Sequence, residues 1–146
     1  MQDSIKKQAN SLITKYNTNN PFELADYLGF ITIITPLDNN ISGISQNLKK
    51  NIVIYVNSEL DYYKKLIVAA HGLGHAILHK ETDTIFLEYT NICLQNKYER
   101  EADSFAIELL LYNKQSYKYK ENVINKTSAK ERLNLSMLNF KFPHSY

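Results

Sequence analysis

The chain has little of what defines several protein classes. It has one cysteine among 146 residues, Cys93, so it can form no internal disulfide bond and fits a reducing compartment. For this thiol, the role of a small buried apolar group is favoured over that of a reactive group near a metal. No apolar run approaches the length of a membrane span, and the N-terminus has no apolar signal core, which predicts a cytoplasmic protein without membrane contact. No internal repeat or linker rich in proline, glycine or serine divides it, so we expect one domain over residues 1–146.

The chain also lacks a strong net charge. The value of +2 at pH 7 gives no global reason to expect contact with nucleic acid. From residue 112 onward there are seven lysines and arginines against two acids, whereas the preceding residues have ten against thirteen. The basic tail could bind an acidic partner or phosphate, but a solvated helical face is the simpler interpretation. Direct nucleic-acid binding therefore needs steeply salt-dependent DNA binding to support it.

Hydrophobic periodicity predicts an α+β fold, in which a small antiparallel sheet of about three strands packs against a helical bundle. Asn20 can cap a short helix that begins at Pro21 and ends near Gly29. The predicted strands are rich in β-branched residues and comprise residues 30–35, 41–46 and 51–57. The other predicted helices comprise residues 3–16, 61–79 and 97–111, and one or two shorter helices within residues 127–140, capped by Thr127 or Ser128.

The stretch "VAAHGLGHAILH" contains three of the four histidines. His71 and His75 lie one helical turn apart on one face, so each could bind a zinc ion through a ring nitrogen at about 2.0–2.1 Å. The alternative is a pair of helical histidines that only touch. His79 continues this face and could support the site from a second shell or satisfy buried polar groups. Gly74 destabilises a helix by about 1 kcal/mol relative to alanine, which close packing of a neighbouring backbone would explain.

A zinc site needs at least a third protein ligand, and "KYEREADSFAIELLL" offers acidic candidates. Glu99 lies at the border of this helix's apolar stripe, and Asp103 lies one turn later beside it. We therefore predict Glu99 as the third ligand and Asp103 as an acceptor for the free N–H of a ligand histidine. The alternative for Glu99 is an exposed acid favoured by the helix dipole. Three residues are predicted to face water on the opposite side: Glu101, Ser104 and Glu108.

Four segments together resemble the ImmA/IrrE-type metallopeptidases, small gluzincin-like zinc proteins. The segments are "NPFELADYLGF", "NIVIYVNSELDYYKKLIVAAHGLGHAILH", "EREADSFAIELLL" and "TSAKERLNLSML". The resemblance implies a zincin-like active-site helix and a Zn²⁺ site of His71, His75 and Glu99, supported by Asp103. It also implies a partner, because such proteins commonly act beside helix-turn-helix repressors of mobile elements, phages or stress regulons, which they cleave or otherwise antagonise.

The sequence departs from this family's HExxH pattern at Gly72, where the family has glutamate. In zinc peptidases that glutamate accepts a proton from water and passes it toward the leaving amine. Losing a general base typically costs about 10²–10⁴-fold in rate, so this chain is predicted to be catalytically impaired. Two accounts stay open: an inactivating substitution in a working peptidase, and a natural pseudo-peptidase that binds zinc and sequesters a repressor.

The strand before the active-site helix usually pairs with an extended substrate in zinc peptidases. Here that strand comprises residues 52–57, which makes Ile54, Tyr55 and Val56 the candidate substrate-binding residues. An ordinary half-buried strand is the equal alternative. Tyr55 could stabilise an oxyanion, although the chain has 11 tyrosines and nothing singles this one out.

Overall fold

The computed structural model describes residues 2–87 and 97–112, which form four helices and four strands. In chain order these are α1 (Gln2–Tyr16), α2 (Pro21–Tyr27), β1 (Ile31–Thr35), β2 (Ile41–Leu48), β3 (Asn51–Asn57), α3 (Tyr62–Leu78), β4 (Thr84–Leu87) and α4 (Lys97–Leu110). Each predicted helix and strand within the described residues is present, with ends that agree to within a few residues. Three predictions lie outside the described residues: the closing helices, the environment of Cys93 and most of the basic tail.

The predicted α+β class is confirmed, but the sheet is mixed and has four strands in the order β1-β3-β2-β4. Strand β3 pairs antiparallel with β2 and parallel with β1. The parallel pair arises because the β2–β3 hairpin folds back so that β3, not β2, lies beside β1. The additional strand, β4, pairs antiparallel with β2. Its four residues, TIFL, are too few to give a periodic signal beside a polar connection.

Helix α2 begins and ends as its sequence predicts. The Asn20 side chain accepts hydrogen bonds from the backbone N–H groups of Phe22, at 2.8 Å, and Glu23, at 3.4 Å. Pro21 occupies the first helical turn, where its missing N–H leaves no donor unsatisfied. Gly29 follows the helix with a φ of +79°, a left-handed conformation that favours glycine. These features fix the direction in which the chain enters the sheet.

Helix α3 lies between the sheet and α4, and its apolar face forms the middle of the core. Leu66, Ile67, Ala70 and Leu73, which recur at helical spacing along it, are all buried. Gly74 allows α4 to approach closely: a Cβ atom there would lie 3.1 Å from the Cα and carbonyl oxygen of Ala102. The predicted reason for this glycine is confirmed.

Helix α4 packs against both α1 and α3, so it is buried over more of its circumference than one apolar stripe. The predicted stripe is buried, as expected. The prediction that Ser104 and Glu108 face water is wrong, because their exposed fractions are 4% and 5%. A second helix packing against α4 is a tertiary effect that its own periodicity does not reveal. Among residues 2–87 and 97–112, we find no helix with the length and apolar character needed to span a membrane.

Candidate metal centre

Helix α3 and its C-cap residue carry three buried histidines on one face. The helix begins at the N-cap Asp61, whose carboxylate accepts from the backbone N–H of Lys64 at 2.9 Å. It ends at His79, whose backbone N–H donates to the carbonyl oxygen of His75 at 2.8 Å. The exposed fractions of His71, His75 and His79 are 5%, 0% and 8%. The helical spacing therefore places three imidazoles in a row inside the protein.

Glu99, in the first turn of α4, brings a carboxylate between the first two of these imidazoles. Its Oε2 lies 2.7 Å from His71 Nε2 and its Oε1 lies 3.0 Å from His75 Nε2, while the two Nε2 atoms are 3.2 Å apart. Glu99 is only 4% exposed, which excludes the alternative of a solvated acid at a helix start. The structure thus brings His71, His75 and Glu99 together, with one potential ligand atom of each within 4.8 Å of the others.

These separations fit a single small cation. Tetrahedral bonds of about 2.0–2.1 Å would separate neighbouring ligand atoms by about 3.3–3.4 Å. The distance of 3.2 Å between the two Nε2 atoms needs almost no adjustment, and the shortest separation, 2.7 Å, needs about 0.6 Å.

The Nδ1 atoms of His71 and His75 each contact a further side chain. His71 Nδ1 lies 2.8 Å from Asp103 Oδ1, and Asp103 is 1% exposed. His75 Nδ1 lies 3.1 Å from His79 Nδ1, whose ring extends the row away from Glu99. Asp103 is therefore where the sequence predicts a supporting acceptor, and His79 lies behind His75 rather than beside Glu99.

Glu101 is a residue whose role the sequence reading missed. The prediction that it faces water is wrong, since its side chain is 12% exposed and its Oε1 lies 2.8 Å from His79 Nε2. It reaches His79 because the end of α3 lies beside the first turn of α4. The only signal in the sequence was His79 itself, because a buried imidazole needs partners for two nitrogens.

For the chain without a cation, the charges in this group are strongly coupled. Burial lowers the pKa of His71, but Asp103 and Glu99 outweigh that effect and raise it to about 10. Burial lowers the pKa of His75, where the hydrogen bond to Glu99 opposes the shift and the charge of His71 adds to it. Burial would raise the pKa of Glu99, but hydrogen bonds from both histidines hold it well below its usual range. A proton thus sits on His71 beside an ionised Glu99, in a site that favours positive charge.

Gly72 lies buried in α3, directly after His71. With no side chain, it supplies no group that could accept a proton beside the two imidazoles. Glu101 is engaged with His79, and Glu59 precedes the helix by three residues. Position 72, where the HExxH pattern has its general base, therefore has no side chain that can accept a proton.

The predicted substrate-binding strand is contradicted by the sheet topology. Strand β3 lies between β1 and β2, so both of its edges are already paired and it cannot add an extended peptide. Ile54 and Val56 are fully buried in the core. The Tyr55 hydroxyl donates to Gln46 Oε1 at 3.4 Å, on the neighbouring strand β2. The prediction missed this because strand order is not encoded in the pattern of any single strand.

Comparisons with known proteins place these residues in a wider context. The family model described as the IrrE N-terminal-like domain, of a peptidase family, matches residues 25–141. The chain is 41% identical over 107 residues to "Uncharacterized immunity region protein 2" of Bacillus phage phi105, which covers 73% of this chain and 68% of that protein. It is 34% identical over 115 residues to "Metallopeptidase ImmA" of Bacillus subtilis (strain 168), which covers 75% of this chain and 64% of that one. The chain thus spans less than two thirds of the length of the second relative, and no solved structure matches it significantly.

Proposed function

Because the chain belongs to the ImmA/IrrE family of metallopeptidases, we propose that it holds Zn²⁺ through His71, His75 and Glu99 and acts on a helix-turn-helix repressor protein. In this proposal it is an antirepressor of a mobile element, phage or stress regulon. Its peptidase chemistry is impaired, because Gly72 stands where the general base is needed. The observation that carries the proposal is the convergence of two imidazole Nε2 atoms on the carboxylate of Glu99.

Zinc is the ion that this donor set favours. Two imidazoles and one glutamate are a recurrent three-ligand set of catalytic zinc sites, which leave a fourth position open. Calcium and magnesium prefer sites built of oxygen ligands. Asp103 supports the assignment, since an acceptor on Nδ1 keeps the proton there and leaves the Nε2 lone pair for the ion.

When bound, the ion supplies Lewis-acid chemistry, which polarises a peptide carbonyl and makes water more acidic. The chain's own residues hold and orient it: the histidines through Nε2, and Glu99 through its carboxylate. These residues do not transfer the proton, and Gly72 cannot, because it has no side chain. A missing general base typically costs about 10²–10⁴-fold in rate, and peptide bonds are stable enough for that loss to abolish detectable turnover.

A repressor substrate is supported by the kind of relatives the chain has. One is named for a phage immunity region and another is named a metallopeptidase. A name that refers to phage immunity and a name that refers to peptidase activity together support a regulatory protein as the target.

The second candidate function is a pseudo-peptidase that binds zinc and sequesters the repressor without cutting it. Gly72 is the observation that favours it, because the metal group is complete and only the proton acceptor is missing. The two candidates share the site and differ in whether a bond is broken.

Restoring the base separates the two candidates. Gly72→Glu is expected to give zinc-dependent cleavage of a target helix-turn-helix repressor, at least about 10²-fold above the unaltered chain. Gly72→Gln is the matched control, because it adds a side chain of the same size that cannot act as a base. Intact-mass analysis of the repressor after incubation reads the result. A stable, uncut complex that persists in Gly72→Glu would support sequestration, and cleavage equal in both variants would contradict the role given to position 72.

A further inference from the structure

Strand β1 lies at one edge of the sheet and exposes apolar side chains there. Within the described part of the chain, no strand pairs with its outer edge. Ile31, Ile33 and Ile34 are 42%, 38% and 51% exposed, whereas the neighbouring strand β3 buries more than half of its residues. The sequence of β1, ITIIT, has no charge and no proline, and its register with β3 has no bulge. It therefore lacks the features with which proteins usually prevent an edge strand from pairing.

The parallel pairing with β3 determines which backbone groups of β1 face outward. The Thr35 carbonyl accepts from the backbone N–H of Ser58 at 2.9 Å, so Thr35 directs its backbone groups toward β3. The N–H and C=O of one strand residue point to the same side, and this direction alternates along the strand. Thr32 and Ile34 therefore direct their N–H and C=O groups away from β3, toward the outer edge.

Only one antiparallel register of two β1 strands uses all of these outward groups. With Ile33 on a two-fold axis, Thr32 of each copy lies opposite Ile34 of the other, and each such pair exchanges two hydrogen bonds. An axis at Ile34 would place Thr32 opposite Pro36, which has no N–H. An axis at Thr32 would place Ile34 opposite Phe30, whose N–H already donates within the chain at 2.9 Å. Registers centred between two residues oppose outward-facing groups to inward-facing ones.

The side chains of β1 also suit contact with an identical strand. A symmetric contact uses the same patch of both copies, so charges near the axis would face charges of the same sign. Strand β1 has no ionisable side chain, and such repulsion does not arise. In this register the two Ile33 side chains meet on the axis, and Ile31 and Ile34 each lie opposite a threonine, so that β-branched residues pair throughout.

The exposed area sets the strength of this contact. The exposed fractions of the three isoleucines together amount to little more than one isoleucine residue on each copy. A stable interface buries about 1,200–2,000 Å² in total, which a pair of five-residue strands does not reach. We therefore expect a dimer that forms at high concentration and dissociates on dilution.

We propose that β1 is a self-association edge, through which two copies of this chain pair antiparallel about Ile33 into a symmetric dimer with one continuous sheet. A second copy is the partner that meets the requirements of both register and charge. The inference is independent of the proposed metal site, because neither α3 nor α4 contributes to it.

Introduced cysteines test both the contact and its register, in a Cys93→Ser background that removes the native thiol. Ile33→Cys should form a disulfide-linked dimer under mild oxidation. A pair without hydrogen bonds holds its Cα atoms about 4.5 Å apart, within the range of about 4.4–6.8 Å that disulfides allow. Ile31→Cys and Thr35→Cys should not link to themselves, but should link to each other when mixed, because each lies opposite the other. Ile85→Cys is the control, an isoleucine that is 56% exposed on the other edge strand.

Sedimentation equilibrium of the full chain over a concentration series measures the dimer without a cross-link. Ile34→Pro removes an outward N–H and leaves the bonds to β3 intact, a position at which an edge strand tolerates proline. Because symmetry removes two hydrogen bonds, we expect the dissociation constant of the dimer to rise at least about tenfold. Ile34→Thr is the matched control, since it keeps the N–H and a β-branched side chain. Circular dichroism on each variant separates lost association from lost fold.

Each possible result supports the proposal or overturns it. A chain that stays monomeric, with Ile33→Cys linking no faster than Ile85→Cys, would overturn it, and is the result expected if residues 113–146 or a strand of another protein occupies the edge. Linking of Ile85→Cys alone would place the contact at β4 instead. Self-linking of Ile31→Cys in place of Ile33→Cys would refute the register, and equal dimer affinity in Ile34→Pro and Ile34→Thr would refute pairing through the backbone.

Discussion

Helices α3 and α4 contact each other in two different ways within one interface. Around Gly74 the contact is apolar and very close, with a Cβ position 3.1 Å from the backbone of Ala102 and 3.2 Å from Phe105 Cβ. One turn away the contact is polar, and His71 meets Glu99 at 2.7 Å. We call these the apolar contact and the polar contact. The first is fixed by shape, whereas the second is fixed by charge and by the positions of protons.

The difference shows why a buried polar group can persist here. Burying ionised side chains is costly unless partners compensate them, and Glu99, Glu101 and Asp103 are three acids within five residues. The cost of removing these carboxylates from water favours moving α4 away from the core. The apolar contact opposes this, because close packing gains dispersion energy that separation would lose. It therefore holds the carboxylates at the distance where the imidazoles, and a cation, can neutralise them.

The largest effect is expected from breaking the polar contact directly. His71→Ala, His75→Ala and Glu99→Ala should each reduce zinc from about one ion per chain to almost none, because only two of three ligands remain. Elemental analysis of protein loaded with zinc and then desalted measures this. Glu108→Gln is the matched control, since Glu108 is another buried acid of α4 outside the three-residue group. Retention of full zinc by Glu99→Ala would contradict the site.

In chelator-treated protein, the change in the free energy of unfolding with pH should also arise from the polar contact. The folded pKa of His71 is raised from 6.5 to about 10. Its contribution to the free energy of unfolding is therefore complete below pH 6.5 and is lost as pH rises toward 10. The lowered pKa of Glu99 acts in the opposite direction, and its contribution is lost as pH falls below 4.5.

Urea unfolding at a series of pH values measures both changes. Asp103→Asn removes a negative charge that raises the pKa of His71. In this variant we therefore expect the free energy of unfolding to fall less steeply as pH rises above 6.5. A substitution in the apolar contact should leave the slope of unfolding free energy against pH unchanged. An equal slope in Asp103→Asn and the unaltered chain would show that His71 is not the group responsible.

The sequence predicted the two contacts to different extents. His71, His75, Glu99 and Asp103 could be chosen because helical spacing places side chains on known faces. Gly74 could be chosen because a glycine inside a helix needs a packing reason. Glu101 could not, since its partner is on another helix and its position is opposite the apolar stripe.

The sheet repeats this lesson. Each longer strand was predicted from its own β-branched residues, but the position of β3 inside the sheet was not, and the substrate-strand prediction failed for that reason. Order within a sheet depends on pairings between distant segments, whose energies are spread over several strands. Local patterns therefore identify helices, strands and their buried faces. They do not determine which other element packs against each face.

A smaller effect is expected from disturbing the apolar contact. Gly74→Val places a branched side chain against the backbone of Ala102, and overpacking of this kind typically costs about 1–3 kcal/mol of unfolding free energy. Because α4 must move, zinc affinity should also fall, although no ligand has changed. Tyr63→Val is the control, with the same β-branched residue introduced at a position of α3 that is 50% exposed. Unchanged zinc affinity in a destabilised Gly74→Val would separate the two contacts.

The smallest effect should come from a change outside both contacts, which tests whether loss of stability alone weakens the site. Asn20→Ala removes the acceptor for the first N–H groups of α2, and such a cap is worth about 1 kcal/mol. Asn20→Asp keeps an acceptor oxygen and should retain most of that stability. Zinc affinity should be equal in both variants, because α3 and α4 keep their contacts. If Asn20→Ala weakened zinc as much as Gly74→Val does, the site would depend on global stability, and the apolar contact would have no special part in positioning the carboxylates.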